Sequence, residues 1–587
     1  MNNEEVDYKY RLNHSAEHIF AQAVKELYGD DVTLAVAHIT DGSFSNDSKW
    51  TKQITEESFK EIEGRMQKII NQNLEITSKE ITLEEAKELF KNNPYKLDWI
   101  EQWSLEGKPL TVYWTGDTYV DLCKGPHVSR TSEIKAFKLM SLSGAYWRGD
   151  VKNEMLTRVY GVAFQSKDEL NNYLKQIEEA KKRDHRKLGK ELGLFTFSEL
   201  VGSGLPMFTP KGTFLRDQLC KFSEKLQKDA GFEQVWTPHM TKTDLYKVSG
   251  HWAKFGKELF IVKSQETDDE MVLKPMNCPH HTQIYASQMR SYRDLPIRYF
   301  ETTTDYRDEK AGELQGLSRV RSLTQDDAHV FCTLDQIEGE FTNIMAMIKE
   351  MYSALGLTFR SRLSFRSKDE PEKYIGDDKS WEESQRIIEE IAKKLELDYV
   401  VAEGEAAFYG PKIDIMVKDS LGREWQCATQ QLDFVQPQRF GLKYIDSDGS
   451  EKMPLMIHKA LLGSVERFLS VYIEHTAGNF PLWLSYDQVV ILPISTDKHL
   501  SYAEEIKSKI KSEGLRVSID SASETLGNRI RKAQSEKIPY MIVIGDKEVE
   551  SKNISVRLRT GENLNGIEIE EFVNRAKEKV ENKSLDL

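Results

Sequence analysis

The sequence predicts a multidomain protein that combines α+β and α/β architecture. The chain has 587 residues, and at roughly 100–200 residues per domain this length predicts three or four domains. Residues 196–485 carry many strand-like segments, whose spacing favours one large antiparallel sheet with helices packed on it. From residue 486 onward, short apolar runs alternate with helical stretches, which is typical of a βαβαβ arrangement with a parallel core.

The composition limits the class of protein. Hydrophobic residues make up 39% and charged residues 30% of the chain, as in a folded globular protein. No run approaches the ~18–20 apolar residues of a membrane span, and the first residues lack the apolar region of a signal peptide, so we expect no membrane partner. Five scattered cysteines predict no disulfide framework and favour a reducing, cytoplasmic compartment. The net charge of -14 argues against non-specific coating of nucleic acid, and we expect no DNA partner.

The segments follow one another in a clear order along the chain. Residues 1–175 open with a helical pattern and then mix short strands with helices. The stretch Tyr173–Leu194 is charged, helix-favouring and almost free of breakers, which predicts a connecting helix at 176–195. We therefore expect three domains, over 1–175, 196–485 and 486–587, with the linker helix after the first.

The first candidate site begins with His14 and His18 in the segment HSAEH. A spacing of four places both imidazoles on one helical face, roughly opposite the apolar arc within Ile19–Leu27. They should therefore lie in solvent or line a cleft, and their removal should cost little stability. The segment DLCKGPH adds Cys123 and His127. The four side chains are compatible with a polar surface, a tetrahedral zinc site or a metal-free hydrolytic pocket.

The second candidate site lies on a strand-like segment, Arg319–Phe331. Alternation along a strand places polar side chains of both charge signs on one face: Arg319, Arg321, Leu323, Gln325, Asp327 and His329. The preceding segment YRDE is predicted to lie on an adjacent antiparallel strand, which would bring Arg307 and Glu309 onto the same platform. This face is either an exposed sheet surface or a platform for a polyphosphate and a base.

Two weaker signals complete the set. Ser464 is a predicted N-cap, which puts Arg467 in the first turn of a helix, where the dipole disfavours a cation unless an anion is near. The alternative is a tolerated exposed arginine.

Cys278, His329 and His458 are further metal candidates, but their separations match no short zinc motif. On spacing alone, a buried cysteine and two hydrogen-bonded histidines are favoured.

Together these segments resemble the class II aminoacyl-tRNA synthetases. TPHM with its preceding helix at 213–228, YRDE…RVRSLTQDDAHVF and GSVERF resemble the three motifs of the class. KPMNCP, AFYGPKID, WQCATQQLDF and MIHKALLGSVERF resemble the threonyl-tRNA synthetase family, and HSAEH with DLCKGPH resembles its editing domain. The resemblance runs from about residue 10 to the end of the chain. The ubiquitin-like domain that precedes the editing domain in many members is expected to be absent.

The resemblance implies a fold and an activity. It implies an α+β editing domain at 1–175, a class II antiparallel-sheet catalytic domain at 196–485 and an α/β anticodon-binding domain at 486–587. The implied enzyme is an ATP-dependent ligase that forms threonyl-adenylate, transfers threonine to the 3′ end of tRNA(Thr), and hydrolyses seryl-tRNA in a separate site. The first motif implies a homodimer.

The resemblance also implies the roles of individual residues. It assigns catalysis to Arg307, Arg467 and Lys412. It assigns ATP binding to Arg307, Glu309, Arg319, Gln426 and Arg467, with magnesium accompanying the ATP. It assigns threonine binding to Gln325, Asp327, Tyr409 and Ser464. It assigns one zinc per chain to Cys278, His329 and His458. It assigns metal-free editing to His14, His18, Lys96, Asp121, Cys123 and His127. It assigns anticodon recognition to Glu550 and Arg559.

Two alternative functions predict different residues at the motif and zinc positions. A non-catalytic tRNA-binding relative would be expected to lack a motif arginine or a zinc ligand, and all are present in the sequence. A synthetase for another amino acid, such as proline, is disfavoured by the cysteine and two histidines and by Asp327. His280 replaces the usual glycine after Cys-Pro, so His280 or His281 could replace a zinc ligand.

Overall fold

The computed structural model describes residues 3–40, 42–150 and 152–587. The chain divides into two units, one ending at Glu178 and the other beginning at Glu179. Among the helices of these described ranges, none combines the length and the apolar character needed to cross a membrane.

Helices pack against antiparallel strands in the first unit. Its helices are α1 (Asn3–Tyr28), α2 (Phe59–Asn71), α3 (Leu83–Leu89) and α4 (Pro94–Leu105), and the boundary between the units falls within the next helix, α5 (Lys167–Arg183). Its strands are β1 (Val32–Ile39), β2 (Phe44–Trp50), β3 (Ile76–Glu80), β4 (Thr111–Thr115), β5 (Tyr119–Leu122), β6 (Ala136–Tyr146) and β7 (Met155–Phe164). The strands form two sheets, ordered β1-β2-β7-β6 and β3-β4-β5. Every residue of α1 from Leu12 to Val24 is buried, so this helix is the centre of the unit.

The connecting segment is two helices rather than the single helix expected over Tyr173–Leu194. Helix α5 ends at Arg183, and α6 (His185–Glu191) begins directly afterwards. The break occurs at Asp184, whose side chain accepts a hydrogen bond from the backbone N–H of Arg186 (2.8 Å) and so caps α6. Asp184 is therefore the N-cap of a second helix, which the prediction of one continuous helix overlooked.

The second unit begins with a large sheet and the helices that cover it. The helices that follow α6 are α7 (Pro210–Asp229), α8 (Thr243–Ser249), α9 (His251–Phe255), α10 (Cys278–Ala286), α11 (Ile337–Ala354), α12 (Asp378–Lys394), α13 (Val435–Arg439) and α14 (Val465–Thr476). The strands are β8 (Phe195–Thr196), β9 (Met207–Phe208), β10 (Glu233–Gln234), β11 (Met240–Lys242), β12 (Ile261–Lys263), β13 (Glu270–Leu273), β14 (Ile297–Tyr306), β15 (Ser322–Cys332), β16 (Thr358–Phe365), β17 (Tyr399–Glu403), β18 (Lys412–Lys418), β19 (Glu424–Asp433), β20 (Tyr444–Ile445), β21 (Glu451–Lys452) and β22 (Leu455–Ser464).

Eight of these strands form one sheet in the order β10-β14-β15-β22-β19-β18-β16-β17. Pairing is antiparallel except at the two edges, β10 with β14 and β16 with β17. Side chains of α7, α11 and α14 join those of the sheet in one apolar core. The predicted antiparallel sheet with helices on it is confirmed.

Strand β15 starts later than the sequence predicts. The segment before it closes a turn, in which the N–H of Gln315 donates to the carbonyl of Arg319 (3.1 Å). Arg319 and Arg321 therefore precede the strand, and their expected alternation with Leu323 does not apply. From Ser322 onward the predicted antiparallel pairing with β14 is present, with Tyr306 opposite Ser322.

The pairing of β15 with β22 contains a bulge. Gln325 lies opposite Ser464, whereas Asp327 lies opposite Ala460, so the three residues Leu461–Gly463 have no partners on β15. Beyond the bulge, His329 lies directly opposite His458. The bulge therefore sets which residues of the two strands face each other.

The buried carboxylate of Asp326 replaces the missing strand partner. It accepts hydrogen bonds from the backbone N–H groups of residues 461, 462 and 463 at 3.1, 3.1 and 3.2 Å. It also accepts one from the hydroxyl of Ser223 on α7 (2.6 Å). These bonds satisfy donors that the bulge would otherwise leave buried and unpaired.

The carboxy-terminal part has its own sheet and core. Its helices are α15 (Thr496–Ser512), α16 (Leu526–Ser535), α17 (Asp546–Ser551) and α18 (Ile569–Glu581). Its strands are β23 (Val489–Pro493), β24 (Val517–Ile519), β25 (Tyr540–Ile544), β26 (Ile554–Leu558) and β27 (Asn563–Ile567). They are ordered β24-β23-β25-β26-β27. The first three are parallel, as predicted for the core, and the last two continue the sheet antiparallel.

Replacing Asp326 should destabilise the second unit strongly. We expect Asp326→Ala to lower the free energy of unfolding by about 3 kcal/mol or more, because three buried N–H groups lose their acceptor. The measurement is the urea midpoint of unfolding of the whole chain. Asp229→Ala is the matched control, since that exposed carboxylate pairs with Lys225 one turn earlier on α7, and it should change stability by less than about 0.5 kcal/mol. Equal midpoints for the two variants would contradict the role given to Asp326.

Candidate active sites

Three sulfur and nitrogen donors meet beside the large sheet. Cys278 begins α10, His329 lies on β15 and His458 lies on β22. Their ligand atoms all lie within 4.8 Å of one another, and all three residues are buried. His329 Nε2 is 3.1 Å from His458 Nδ1. Cys278, His329 and His458 therefore form a cysteine–histidine cluster that could hold a metal ion.

The outer nitrogens of both histidines are held by neighbouring side chains. His458 Nε2 lies 2.8 Å from Asp433 Oδ2, and His329 Nδ1 lies 2.8 Å from His281 Nδ1. Such outer contacts orient imidazole ligands in metal sites. His281 thus supports the cluster from outside, and His280 is not a member of it. The possibility that either histidine replaces one of the three ligands gains no support.

The charge balance around the cluster favours a cation. Burial raises the pKa of the Cys278 thiol well above its usual range. Burial also raises the pKa of Asp305 to about 7 and, together with the charge of Asp305, that of Asp327 well above normal. A bound cation would stabilise the ionised forms of these groups. A thiolate and two imidazoles would form a donor set suited to zinc.

Residues predicted to bind the amino acid lie beside this cluster. The ring of Tyr409 stacks on His458 with centroids 4.8 Å apart, and its hydroxyl donates to Gln431 (2.5 Å). An oxygen of Asp327 is 3.8 Å from His329 Nε2. Further along, Gln325 and Ser464 are opposite each other at the start of the bulge. The structure therefore brings these four positions to one end of the cluster-bearing strands.

Two arginines near the sheet have no ion-pair partner within residues 179–587, all of which the structure describes. Arg467 is exposed in the first turn of α14, and Ser464 caps this turn by accepting from the N–H of Arg467 (3.2 Å). Arg307 follows β14, where its backbone N–H donates to the carbonyl of Arg321 (2.9 Å). The predicted cap is confirmed. Both guanidinium groups are therefore available to an anion.

The other predicted nucleotide contacts are engaged with protein partners. Arg319 pairs with Glu309 (2.7 Å) and with Glu313 (2.9 Å). On β18 and β19, Lys412 is 2.9 Å from Asp414, and Gln426 donates to the same carboxylate (2.8 Å). These contacts place the side chains in two polar clusters, each of which a ligand could reorganise.

The first unit contains a cleft of about 390 Å³ lined by His14, His18, Lys96, Asp121 and Cys123. Cys123 Sγ lies 3.1 Å from His14 Nε2 and 3.2 Å from His127 Nε2. Lys96 Nζ lies 2.6 Å from Asp121 Oδ1. The structure thus gathers all six predicted residues of this site, which come from α1, α4 and the segment around β5.

The imidazoles and the thiol in this cleft are uncharged at neutral pH. Burial lowers the pKa of His14 to about 4 and lowers those of His18 and His127 below their usual range. Burial raises the pKa of Cys123 to about 12. A neutral imidazole can accept a proton from water, as a hydrolytic site requires. The close approach of His14, His18, Cys123 and His127 is by itself also compatible with a metal ion.

The two helix histidines line the cleft, which is one of the two positions that the sequence left open. His14 is 7% and His18 is 2% exposed, because the polar side of α1 faces the cleft rather than solvent. Of the alternatives left open by the sequence, the cleft is therefore confirmed and the polar surface is excluded. The expectation that removing these histidines costs little stability rested on a surface-type position, and their burial removes that basis.

The two predicted anticodon contacts have different environments. Glu550 is exposed on α17. The guanidinium of Arg559 donates to the backbone carbonyls of Asn479 (3.1 Å) and Lys537 (3.3 Å). Arg559 therefore has a structural role in the unbound chain, and base recognition by either residue stays a prediction.

Comparisons with known proteins agree with this arrangement of sites. Family models match the tRNA synthetase class II core domain (G, H, P, S and T) over residues 260–476 and the anticodon binding domain over 488–579. A third model, the threonyl and alanyl tRNA synthetase second additional domain, matches residues 110–160. The threonine–tRNA ligase of Thermotoga maritima is 48% identical over 98% of this chain and 88% of its own length. That of Staphylococcus carnosus is 45% identical over 96% of this chain and 87% of its own.

The chain belongs to the threonyl-tRNA synthetase family.

A solved structure from the same family has the same fold. The RNA binding domain of threonyl-tRNA synthetase from Cryptosporidium parvum Iowa II aligns with a TM-score of 0.63 and 37% identity, over 67% of this chain and 98% of that one. The class II core, the anticodon-binding domain and the editing-related domain predicted from the sequence are therefore confirmed.

Several residues at the two sites of this family member were missed by sequence reasoning. Asp433 contacts His458 of the cysteine–histidine cluster and has no local spacing signal. His281, which the sequence singled out as a possible ligand, instead contacts His329 from outside the cluster. Glu17 also lines the cleft, and its place three residues after His14 could have revealed it. A third cluster joins His185 Nδ1 to Glu474 (2.7 Å), while Nε2 of this histidine accepts from the N–H of Leu317 (3.1 Å). Both nitrogens of His185 are thus occupied, which argues against a metal there.

Stability of the first unit should fall in mild acid. His14 has a folded pKa of about 4, below the unfolded value of about 6.5. At His14 the unfolded chain therefore binds more protons in this interval, and stability present above about pH 6.5 is lost as the pH falls toward 4. Glu17, whose pKa burial raises to about 8, opposes this loss, but His14, His18 and His127 all act in the same direction and outnumber it. Each such histidine contributes up to about 1.4 kcal/mol per pH unit.

Hydrogen exchange of the α1 amides, corrected for the intrinsic pH dependence, measures this loss between pH 7.5 and pH 5.5. His18→Gln should show a shallower pH dependence than the parent chain. His38→Gln is the matched control, because His38 has a half-exposed side chain outside the cleft, and it should keep the parent slope. Equal protection of the parent at both pH values would refute the prediction.

Proposed function

We propose that this chain is an ATP-dependent threonine–tRNA ligase that also hydrolyses seryl-tRNA in its first unit. One observation supports the synthetic activity above all others. Strand β22 contributes His458 to the cysteine–histidine cluster and leads directly into the first turn of α14, where Arg467 has no ion-pair partner. An amino-acid site and a phosphate site on one strand suit a reaction that joins a carboxylate to an α-phosphate.

The chemistry of the synthetic site is positioning and charge stabilisation. Arg307 and Arg467 bind the phosphates of ATP and stabilise the charge that develops during adenylation. Threonine is oriented by Gln325, Asp327, Tyr409 and Ser464. The adenylate is held by Glu309, Arg319, Lys412 and Gln426, with magnesium accompanying the ATP.

The class II family uses ATP with a divalent metal, and the structure has a cysteine–histidine cluster that could hold one. We propose zinc at Cys278, His329 and His458. When bound, the zinc supplies an open position for the amino and hydroxyl groups of threonine, a pairing that valine lacks. Asp433 and His281 keep the two imidazoles in the orientation that ligation needs. An apolar pocket alone would discriminate between threonine and valine by only about 10²-fold.

Serine requires a second site because it carries the same hydroxyl and is smaller. The cleft around His14 and Cys123 is this second site. In it a neutral imidazole is the base that activates water, and no metal takes part. Lys96 and Asp121 complete its polar lining. Hydrolysis of misacylated ester in a separate cleft is the double-sieve arrangement.

The proposed partners follow from this activity. They are tRNA(Thr), threonine and ATP, with a second copy of the chain forming a homodimer through the first class II motif. The proposed compartment is the cytosol, in keeping with five free and buried cysteines. A non-catalytic relative would be expected to have lost a motif arginine or a cluster residue, and this chain retains all of them.

Substitution of the two arginines tests the ligase. Arg307→Ala and Arg467→Ala should each lower threonine-dependent ATP–pyrophosphate exchange by about 100-fold or more. Their unfolding midpoints should stay at the parent value, because neither guanidinium has an ion pair in the structure. Arg386→Ala, an exposed arginine paired with Glu390 on α12, should keep full exchange.

The amino-acid dependence of the parent enzyme is part of the same assay. Threonine should support the fastest exchange, serine a slower one, and valine and proline almost none. Near-parent exchange by either arginine variant would reject the phosphate role, and faster exchange with proline would reject the threonine assignment.

Metal analysis tests the zinc site. The purified chain should contain one equivalent of zinc, and Cys278→Ser should contain much less, because a hydroxyl is a poor substitute for a thiolate ligand. Cys220→Ser is the matched control, since Cys220 is buried in the apolar core away from the cluster. Unchanged zinc in Cys278→Ser would show that the metal is held elsewhere.

A further inference from the structure

A buried carboxyl in the hydrolytic cleft has no part in the roles described above. Glu17 lies on α1 between His14 and His18, lines the cleft and is 1% exposed. One of its oxygens accepts a hydrogen bond from Asn46 Nδ2 (2.6 Å). Among the described residues Glu17 has no other hydrogen-bond partner, so its second oxygen is available to a ligand.

The lysines that line this cleft are engaged with other groups. Lys96 pairs with Asp121 at 2.6 Å, Lys108 pairs with Glu106, and the ammonium of Lys124 lies 4.0 Å from the ring centre of Trp103. Glu17 is therefore a buried carboxyl that forms no ion pair with these lysines, although the charge of Lys96 acts on it from a distance. Such a group is stabilised most by a ligand that brings a positive charge.

Asp121 is the other acidic residue deep in the cleft, but its bonding capacity is already used. Besides Lys96, it accepts hydrogen bonds from the N–H of Leu122 (2.7 Å) and from the hydroxyl of Tyr119 (3.3 Å). Burial, followed by the negative charge of Asp121, raises the pKa of Glu17 to about 8. An incoming ammonium group would reverse this effect, since an opposite charge favours the ionised carboxylate.

An aminoacyl ester carries such a group, because its α-ammonium lies one carbon from the ester carbonyl. We propose that Glu17 is the receptor for the α-ammonium group of the aminoacyl ester bound in this cleft. The inference rests on the proposed hydrolytic function. It adds a selection rule to that function: the cleft accepts esters with a free amino group and rejects esters whose amino group is blocked or missing.

The test compares two esters that differ only in this group. One is seryl-tRNA and the other is glyceryl-tRNA, in which a hydroxyl replaces the amino group at nearly the same volume. Each enzymatic hydrolysis rate is divided by the enzyme-free rate of the same ester, which removes the intrinsic effect of the ammonium on ester reactivity. The parent chain, Glu17→Gln and Glu26→Gln are compared. Glu26 is the matched control because it lies on the same helix but pairs with Arg65 outside the cleft.

The parent should accelerate hydrolysis of seryl-tRNA about 10- to 100-fold more than that of glyceryl-tRNA, the factor expected for a charge-assisted hydrogen bond. Glu17→Gln keeps an acceptor for Asn46, and should lose this preference by slowing only the seryl reaction. Glu26→Gln should behave as the parent. A merely structural role for Glu17 would instead slow both esters equally.

Two outcomes would overturn the inference, and they are distinguishable. If the parent hydrolyses seryl-tRNA but shows no preference, or if Glu17→Gln keeps the preference, the ammonium is bound elsewhere and the editing function stands. If the parent does not accelerate hydrolysis of seryl-tRNA at all, the editing function and this inference both fail.

Discussion

The geometry of the synthetic site depends on one buried carboxylate. Asp326 accepts the N–H groups of residues 461–463, which the bulge between β15 and β22 leaves without strand partners. On one side of the bulge this sets His329 opposite His458. On the other side it lets β22 end at Ser464, which caps the helix that presents Arg467. A single acceptor therefore couples the position of the cysteine–histidine cluster to that of Arg467.

The two candidate sites use opposite electrostatic designs. The synthetic site contains two arginines without ion pairs and a group of acidic and thiol side chains whose pKa values burial raises, so it is prepared for anionic and cationic ligands. The cleft of the first unit holds neutral imidazoles and a neutral thiol around one closed ion pair. The first arrangement suits stabilisation of charge on phosphate, and the second suits proton transfer from water.

Burial of α1 shifts the pKa values of the cleft side chains and also makes the first unit sensitive to acid. Helix α1 is buried along thirteen consecutive residues, Leu12–Val24, of which several are polar. A helical pattern with one apolar arc is usually half exposed. Here the sheets cover the apolar side and the cleft walls cover the polar side. The histidines are therefore desolvated, which lowers their pKa values and makes the unit sensitive to acid.

The sequence by itself determined the architecture, and its resemblance to a known family named residues that the structure brings together in the cysteine–histidine cluster and in the cleft. Strand spacing predicted the antiparallel sheet, apolar runs predicted the parallel core, and the cap at Ser464 placed Arg467 correctly, because these features are encoded in local periodicity and capping. The tertiary structure alone decided the rest. The bulge at Asp326, the burial of His14 and His18 and the contacts of Asp433 and Glu17 all depend on which distant segments meet. No local pattern encodes such contacts, since a side chain's solvation and its hydrogen-bond partners come from residues far away in the chain.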